Sequence, residues 1–391
     1  MQLSVIILNY QVRYFLEACL DSVFRAIHDM DAEVIVVDNH SMDDSCAMVR
    51  EHFPQVRLIE NTINLGFARA NNRAVQQARG EYVCILNPDT LVTEDGFKEL
   101  YAFAKAHQQT SSERPKEAQG DATPSGLGAV GPRLLDGSGS YLPESKRNVP
   151  TPRIALGKLL GYGQNYYAKQ VDEQAVAKVA VQVGAYLWME RKHFIEMNGF
   201  DEAFFMYGED IDLSYRLSQN GYSNYYHGGV TAIHFKGEST VPNADYYNRF
   251  YGAMQLFYQK HYKASAALNM GVTALVSLAK WVASIKKYSM PEKPVPRAII
   301  LVADSDSLMK PLESQFNQTV QRISWKACSG ASFRRNLVIF DMESGSYRQL
   351  ISTLDRLKNQ ENSYRLRPAN CNFILGSDHA RAQGEVILLE Q

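Results

Sequence analysis

Carboxylates set among large apolar residues are the first chemistry this chain offers. From Gly199 to Arg216 it reads Gly-Phe-Asp-Glu-Ala-Phe-Phe-Met-Tyr-Gly-Glu-Asp-Ile-Asp-Leu-Ser-Tyr-Arg, which sets Asp201, Glu202, Glu209, Asp210 and Asp212 in a run of Phe, Met and Tyr. An unpaired buried charge is expensive, so acids in this setting are either paired or placed for chemistry. Acids in a first helical turn also favour the helix dipole, and Asp212 with Arg216 makes an i,i+4 pair. That accounts for Glu209 or Asp212. It does not account for the aromatic residues before them, and Asp210 stands as a candidate general base.

Three more positions close short apolar runs. Asp38 follows Glu33–Val37 and is itself followed by Asn39-His40-Ser41. There it can hydrogen-bond a nucleobase or a ribose, or form an Asx-turn that caps the next helix. Asn87-Pro88-Asp89 ends Tyr82–Leu86. A carboxylate projecting from such a turn can ligate Mg²⁺ or Mn²⁺ on a diphosphate, because these metals take few protein ligands; a type I turn with Pro88 in second place is the plain alternative. His234 ends Val230–Phe235. A lone His is more often a satisfied residue than a ligand, so His234 joins the site only if the fold brings it to Asp89.

The elements that must position these residues follow from the pattern. Val5–Leu8 and Glu33–Val37 suit buried parallel strands, and Val56–Glu60 and Tyr82–Leu86 read as a third and a fourth strand. Helical spacing over Tyr14–Ile27, a helix opening at Asp43-Asp44-Ser45 and another over Ala68–Ala78 alternate with them. The alternation predicts a parallel α/β sheet with right-handed crossovers, whose ligands bind beyond the carboxyl ends of the strands. Asn9, Asp38 and Asp89 all fall there. His107–Gly128 turns polar and reads as a surface insertion; Val179–Met189 is strand-like, and Lys192–Met197, Ile211–Ser218 and Asn248–Tyr262 are helical. The uncharged run between Lys263 and Lys280 is short of the about 20 residues that span a bilayer. With Trp281, Lys286 and Lys287 it suits either an interfacial helix on anionic lipid over Ala264–Lys287 or a helix packed on the main domain. Pro291, Pro294 and Pro296 mark a linker to a small α/β unit with strands at Ala298–Ala303, Leu337–Asp341, Asn372–Leu375 and Val386–Leu389 and a helix over Tyr347–Leu357. The expected domains are residues 1–250, a helical segment at 251–290, and 297–391.

Composition sets outer limits. The chain has 391 residues with 41 Lys+Arg against 42 Asp+Glu, which excludes a nucleic-acid binder working by bulk electrostatics. Five scattered Cys without a Cys-x-x-Cys pair point to a reduced compartment and no structural zinc. The first residues lack a basic n-region and read as a strand. A cytoplasmic location follows, with peripheral contact at the inner membrane face.

Taken together, these residues resemble an inverting glycosyltransferase of family 2 with the GT-A fold. The matching pieces are Val5–Tyr10, Val36–Ser41, Asn64-Leu65-Gly66-Phe67-Ala68-Arg69-Ala70-Asn71-Asn72, Leu86–Asp89, and Gly199–Glu202 through Gly208–Leu213. Within the family the chain is similar to rhamnosyltransferase-like members of bacterial polysaccharide and cell-wall assembly. The resemblance implies that Asp38 holds the base of the nucleotide near Asn9 and Tyr10, and that Asn64, Gly66, Asn71 and Asn87 line the nucleotide-sugar pocket. It makes Asp89 the last residue of the family's Asp-x-Asp metal motif, with Asn87 in place of the first acid and one negative charge fewer. His234 falls where some members place a further ligand for Mg²⁺ or Mn²⁺. Asp210 matches the general base of the family's Glu-Asp motif, with Glu209 and Tyr207 supporting it or facing the acceptor and Phe204, Phe205 and Tyr207 offering faces for a sugar. The implied donor is a nucleotide-diphosphate sugar, dTDP-rhamnose by preference, with UDP- and GDP-sugars as alternatives. The implied acceptor is a glycan or polyprenyl-linked hydroxyl. A Rossmann dehydrogenase is excluded by the absence of glycine after the first strand. The rival is a non-catalytic sugar-nucleotide-binding or scaffold protein derived from this fold.

Overall fold

The computed structural model describes residues 1–112, 126–151, 154, 166–236, 244–262, 295–380 and 383–390. The first strands are β1 (Leu3–Asn9), β2 (Ala32–Asp38), β3 (Arg57–Glu60) and β4 (Tyr82–Leu86). They pair in parallel in the order β3-β2-β1-β4, with Asn9 level with Asp38 and Ile7 level with Leu86. β1, β2 and β4 are buried on both faces, which is why they read as unbroken apolar runs. Helices α1 (Arg13–Ala26), α2 (Ser45–His52) and α3 (Phe67–Gln77) supply the crossovers.

After β4 the sheet becomes mixed. β5 (Thr90–Leu91), α4 (Gly96–Ser112), β6 (Gly126–Leu135), β7 (Val176–Lys178), β8 (Tyr186–Glu190), α5 (Arg191–Glu196), α6 (Glu209–Gln219), β9 (Tyr222–His234) and α7 (Ala244–His261) follow. The nine-stranded sheet runs β3-β2-β1-β4-β8-β6-β9-β5, with β7 also on β9. β8 is antiparallel to β4, and β5 is antiparallel to β9 with Thr90 level with His234.

Two expectations need correction here. The strand expected over Val179–Met189 begins only at Tyr186. Before it, the chain bonds to several neighbours, with Val181 bridging Arg147 and Gln182 Nε2 donating to the Tyr225 carbonyl at 2.6 Å. The insertion expected over 107–128 is helix through Ser112 and strand from Gly126, and residues 113–125 lie outside the described residues. Gly126 and Gly128 are needed because a Cβ would press on the Tyr222 ring and come within 2.6 Å of Asn224 Oδ1. The segment 264–287 also lies outside the described residues, among which no helix is long and apolar enough to cross a membrane.

A second sheet of six strands is built from β10 (Ile299–Val302), β11 (Val320–Ile323), β12 (Leu337–Asp341), β13 (Ser363–Arg367), β14 (Phe373–Gly376) and β15 (Glu385–Leu388), in the order β11-β10-β12-β13-β14-β15. Its helices are α8 (Met309–Phe316), α9 (Trp325–Cys328) and α10 (Tyr347–Leu357). Val12, with Phe15 and Ala18 of α1 and with Ile233 and Phe235, shares one apolar cluster with Phe340, Tyr347, Leu350 and Leu354 of this second unit. The two sheets are therefore joined through a common core.

Candidate active site

The open ends of β1 and β2 carry a tightly bonded shelf. Asp38 Oδ1 accepts from Asn9 Nδ2 at 2.8 Å, and its Oδ2 accepts from the Ser41 amide at 2.8 Å. Asp38 thus holds the turn after β2 through the amide three residues on while it grips Asn9, but it does not cap α2, which starts at Ser45 behind Asp44. Asn9 Oδ1 is buried without a hydrogen-bond partner, an acceptor left over at the place where a base would lie. Tyr10, half-buried, follows directly.

Next to this shelf, Asn39 acts as the hub of the Asn61–Phe67 loop. Its amide donates to Asn64 Oδ1 at 2.8 Å and to the Gly66 carbonyl at 3.3 Å, and accepts from Asn61 Nδ2 and the Leu65 amide. Gly66 has φ 77°, and a Cβ there would come within 2.5 Å of the Phe205 carbonyl oxygen. The Phe67 amide donates to that same carbonyl at 2.7 Å, clipping the loop to the turn before α6. Asn71 Nδ2 donates to the Phe67 carbonyl, while its Oδ1 is buried without a partner. Asn39 and Asn61, both buried, are the contributors that motif reading passed over.

Asp89 and His234 do meet. Antiparallel pairing of β5 with β9 sets His234 Nε2 3.3 Å from Asp89 Oδ1 and 3.3 Å from Asn87 Nδ2. The Asp89 carboxylate oxygen and the His234 imidazole nitrogen, side by side, fit a divalent cation finishing its shell with phosphate and water, with the Asn87 amide nitrogen beside them as a hydrogen-bond donor rather than a ligand. His234 Nδ1 is buried without a partner, so no second hydrogen bond holds the ring in one orientation. Among the described residues no group of three or more His, Cys, Asp or Glu could hold a metal unaided.

The aromatic–acidic segment is shaped by its backbone. Asn198 and Gly199 have φ 57° and 66°, and Tyr207 and Gly208 have φ 68° and 86°. These pairs of left-handed residues fold the segment into two turns before α6 begins. Asn72 ties down the first, accepting from the Phe200 amide at 2.9 Å and donating to its carbonyl at 2.8 Å. Asp212 pairs with Arg216 at 2.7 Å as the spacing implies, and also with Lys260 and His261 of α7. Of the aromatics, Phe204 is 1% exposed and belongs to the core; Phe205 is 42% exposed with the Arg249 guanidinium 5.0 Å above its ring. Tyr207 is half-buried against the same apolar cluster as Phe204 and Ile211. A surface cavity of about 540 Å³ beside the first turn, lined by Asn72, Asn198, Glu202 and Lys260, stands apart from these strand ends.

Asp210 is 7% exposed and well bonded. Its Oδ2 accepts from Arg147 Nη2 at 2.6 Å and from the Gly184 amide at 2.9 Å; its Oδ1 accepts from the Ile211 amide at 2.7 Å. Arg147, absent from the motif reading, is itself buried and also donates to the Gln182 carbonyl at 2.6 Å. Burial works against its charge, but Asp210 and Tyr166 together more than offset this and raise its pKa. Glu209 differs from its neighbour. Its Oε2 is buried without a partner, and burial, then the charge of Asp210, push its carboxyl up to about 8. One stretch of chain joins the two halves of the site, since Gly184 bonds Asp210 and the Ala185 carbonyl accepts from the Asn87 amide at 2.9 Å.

Residues 4–123 match the model of glycosyl transferase family 2, and residues 178–234 match that described as the N-terminal domain of galactosyltransferase. The N-acetylglucosaminyl-diphospho-decaprenol L-rhamnosyltransferase of Mycobacterium tuberculosis is 29% identical over 61% of this chain and 77% of its own. The low-salt glycan biosynthesis hexosyltransferase Agl10 of Haloferax volcanii is 26% identical over 65% and 76%, and the rhamnosyltransferase WbbL of Escherichia coli 24% over 55% and 79%. Among solved structures, the mannosyltransferase PcManGT of Pyrobaculum calidifontis in complex with GDP-Man and Mn²⁺ is similar at TM-score 0.44 and 19% identity, with 74% of this chain and 76% of that one covered. Residues 4–123 thus carry the match to glycosyl transferase family 2, and the chain is similar in sequence to rhamnosyltransferases.

Proposed function

We propose that the protein moves a rhamnose-like sugar from a nucleotide diphosphate to a hydroxyl of a glycan or lipid-linked acceptor, with inversion at the anomeric carbon. The observation that carries this reading is the link through Gly184-Ala185, which sets Asp210 beside the Asn87–Asp89–His234 corner. Asn9, Tyr10 and Asp38 receive the nucleobase and ribose, and the loop bearing Asn64, Gly66 and Asn71 closes the donor pocket. Asp89 and His234 would hold Mg²⁺ or Mn²⁺ against the diphosphate. Such a cation, when bound, neutralises charge on the departing phosphate.

Asp210 Oδ1 keeps a lone pair beyond its bond from Ile211 and takes the proton of the acceptor hydroxyl. The acceptor oxygen bonds to the anomeric carbon as the bond to the diphosphate breaks and its electron pair leaves with the phosphate. One displacement inverts the configuration. Phe205, the exposed ring next to the donor loop, offers a face to the acceptor sugar. The rhamnose preference and a polyprenyl-linked acceptor rest on the Mycobacterium relative, whose name specifies both a rhamnosyl transfer and a diphospho-decaprenol acceptor. Residues 264–287 would supply peripheral contact with the inner membrane face where such an acceptor lies.

The test is Asp210→Asn assayed against a panel of nucleotide sugars with Mn²⁺ present. Transfer falls by at least about a thousandfold, while the nucleotide-induced rise in Tm stays as in the wild type. Wild-type turnover in this variant would sink the assignment. A Tm rise without transfer in the native chain would favour a non-catalytic sugar-nucleotide binder.

A further inference from the structure

We propose that Arg147 is the positioning residue that decides which of two adjacent buried carboxyls, Glu209 or Asp210, is ionised and so which one can act as base. The inference rests on the reading of Asp210 as the general base and adds how that role is assigned. Two carboxylates side by side in a low-dielectric setting cannot both ionise cheaply. Asp210 has the Arg147 guanidinium at 2.6 Å and the Gly184 amide at 2.9 Å on one oxygen; Glu209 has a buried oxygen with no partner. The charge therefore settles on Asp210 and the proton on Glu209, as the upward shift of the Glu209 carboxyl supports.

The surroundings agree with this division. The backbone of Arg147 is placed by its antiparallel bridge to Val181, and its head cannot swing to Glu209 without giving up its bonds to the Gln182 carbonyl and to Asp210. Tyr166 faces Arg147 and Asp210 from the neighbouring loop, with Glu144 and the α7 residue Tyr258 next to it. Asp212, the other acid on α6, has its charge covered by Arg216, Lys260 and His261. Among these described groups Arg147 is the cation in contact with Asp210.

The experiment compares pH profiles of kcat/KM in the full-length wild type, Arg147→Met and Arg147→Lys, with Asp210→Asn as reference. An arginine beside a carboxylate lowers its pKa by about 1–3 units, so Arg147→Met moves the acid limb upward by that amount. Transfer on the acid side falls by up to about tenfold per pH unit below the moved limb, recovers toward neutral and higher pH, and donor KM changes little; Arg147→Lys restores most of the wild-type profile. An unmoved limb in Arg147→Met, with Asp210→Asn inactive, overturns the role of Arg147 alone. An active Asp210→Asn overturns the base assignment and this inference with it. If Arg147→Met fails to fold, infrared titration of protonated carboxyls decides. The wild type shows a carboxyl still protonated at neutral pH that disappears in Glu209→Gln; its loss in Asp210→Asn instead overturns the proposal.

Discussion

Glu209 and Asp210 are adjacent and equally buried, yet Asp210 is gripped by Arg147 and the Gly184 amide while Glu209 Oε2 has no partner. That asymmetry makes a prediction about stability. The Glu209 carboxyl is pushed up to about 8 from an ordinary 4.5, so the folded state holds its proton more tightly than the unfolded chain. The sign follows from linkage: between those values the native state binds more protons, so this group's contribution is intact below pH ~4.5 and is lost as pH rises through about 8. Glu209→Gln removes the penalty. Denaturant unfolding at pH 5 and pH 9 should show the variant gaining on the wild type, by on the order of a few kcal/mol at the higher pH. A constant difference between the two pH values would contradict the protonated state of Glu209. At the same scale, the two oxygens of Asp38 are divided between the Ser41 amide of its own turn and the Asn9 side chain.

At the scale of elements, the Asn61–Phe67 loop depends on a single residue without a side chain. Gly66 combines φ 77° with ψ 177°, a region that is essentially glycine-only, and it abuts the Phe205 carbonyl. Gly66→Ala should cost about 1–3 kcal/mol in unfolding and free the loop from Phe205. Nucleotide affinity measured by calorimetry should then fall further than Tm alone implies, and unchanged affinity would separate this loop from donor binding. Although Asn39 and the Phe205 carbonyl that hold it are remote, the Gly66 loop was legible in sequence because its motif is one contiguous stretch. So were β1, β2 and β4, whose buried faces leave continuous apolar runs. β6 was hidden because its Gly-rich start follows a polar stretch and its packing partners, Tyr222 and Asn224, are remote in sequence. Arg147 was hidden for the same reason. Its pairing with Asp210 spans 63 positions, and the chain around it has no periodicity to mark it. The meeting of Asp89 with His234 could be stated beforehand only as a condition, because the pairing of β5 with β9 is what meets it.

At the scale of the molecule, the second sheet does not hang from a linker. Glu94, preceding α4, accepts from the Tyr347 and Arg348 amides at the start of α10, while Arg25 of α1 donates to the Met342 and Gly345 carbonyls. Tyr347 reaches back with its hydroxyl to Asp21 at 2.6 Å. Deepest of these links is Arg133 on β6, 1% exposed, which meets the Asp355 carboxylate of α10 through both Nη atoms at 2.9 Å. Removing one member of a buried ion pair leaves the other charge uncompensated, at about 3–5 kcal/mol. Glu173 stays 3.3 Å from Arg133 and Asp355 is itself part-exposed, so Asp355→Ala should cost less, roughly 2–3 kcal/mol. Replacing both members with Met and Leu should recover much of that loss, because the desolvation cost disappears with the charges. If the shared core makes the two sheets one cooperative unit, each variant unfolds in a single transition with an unchanged denaturant slope. A second transition at lower denaturant in Asp355→Ala would instead mean that the C-terminal unit melts by itself.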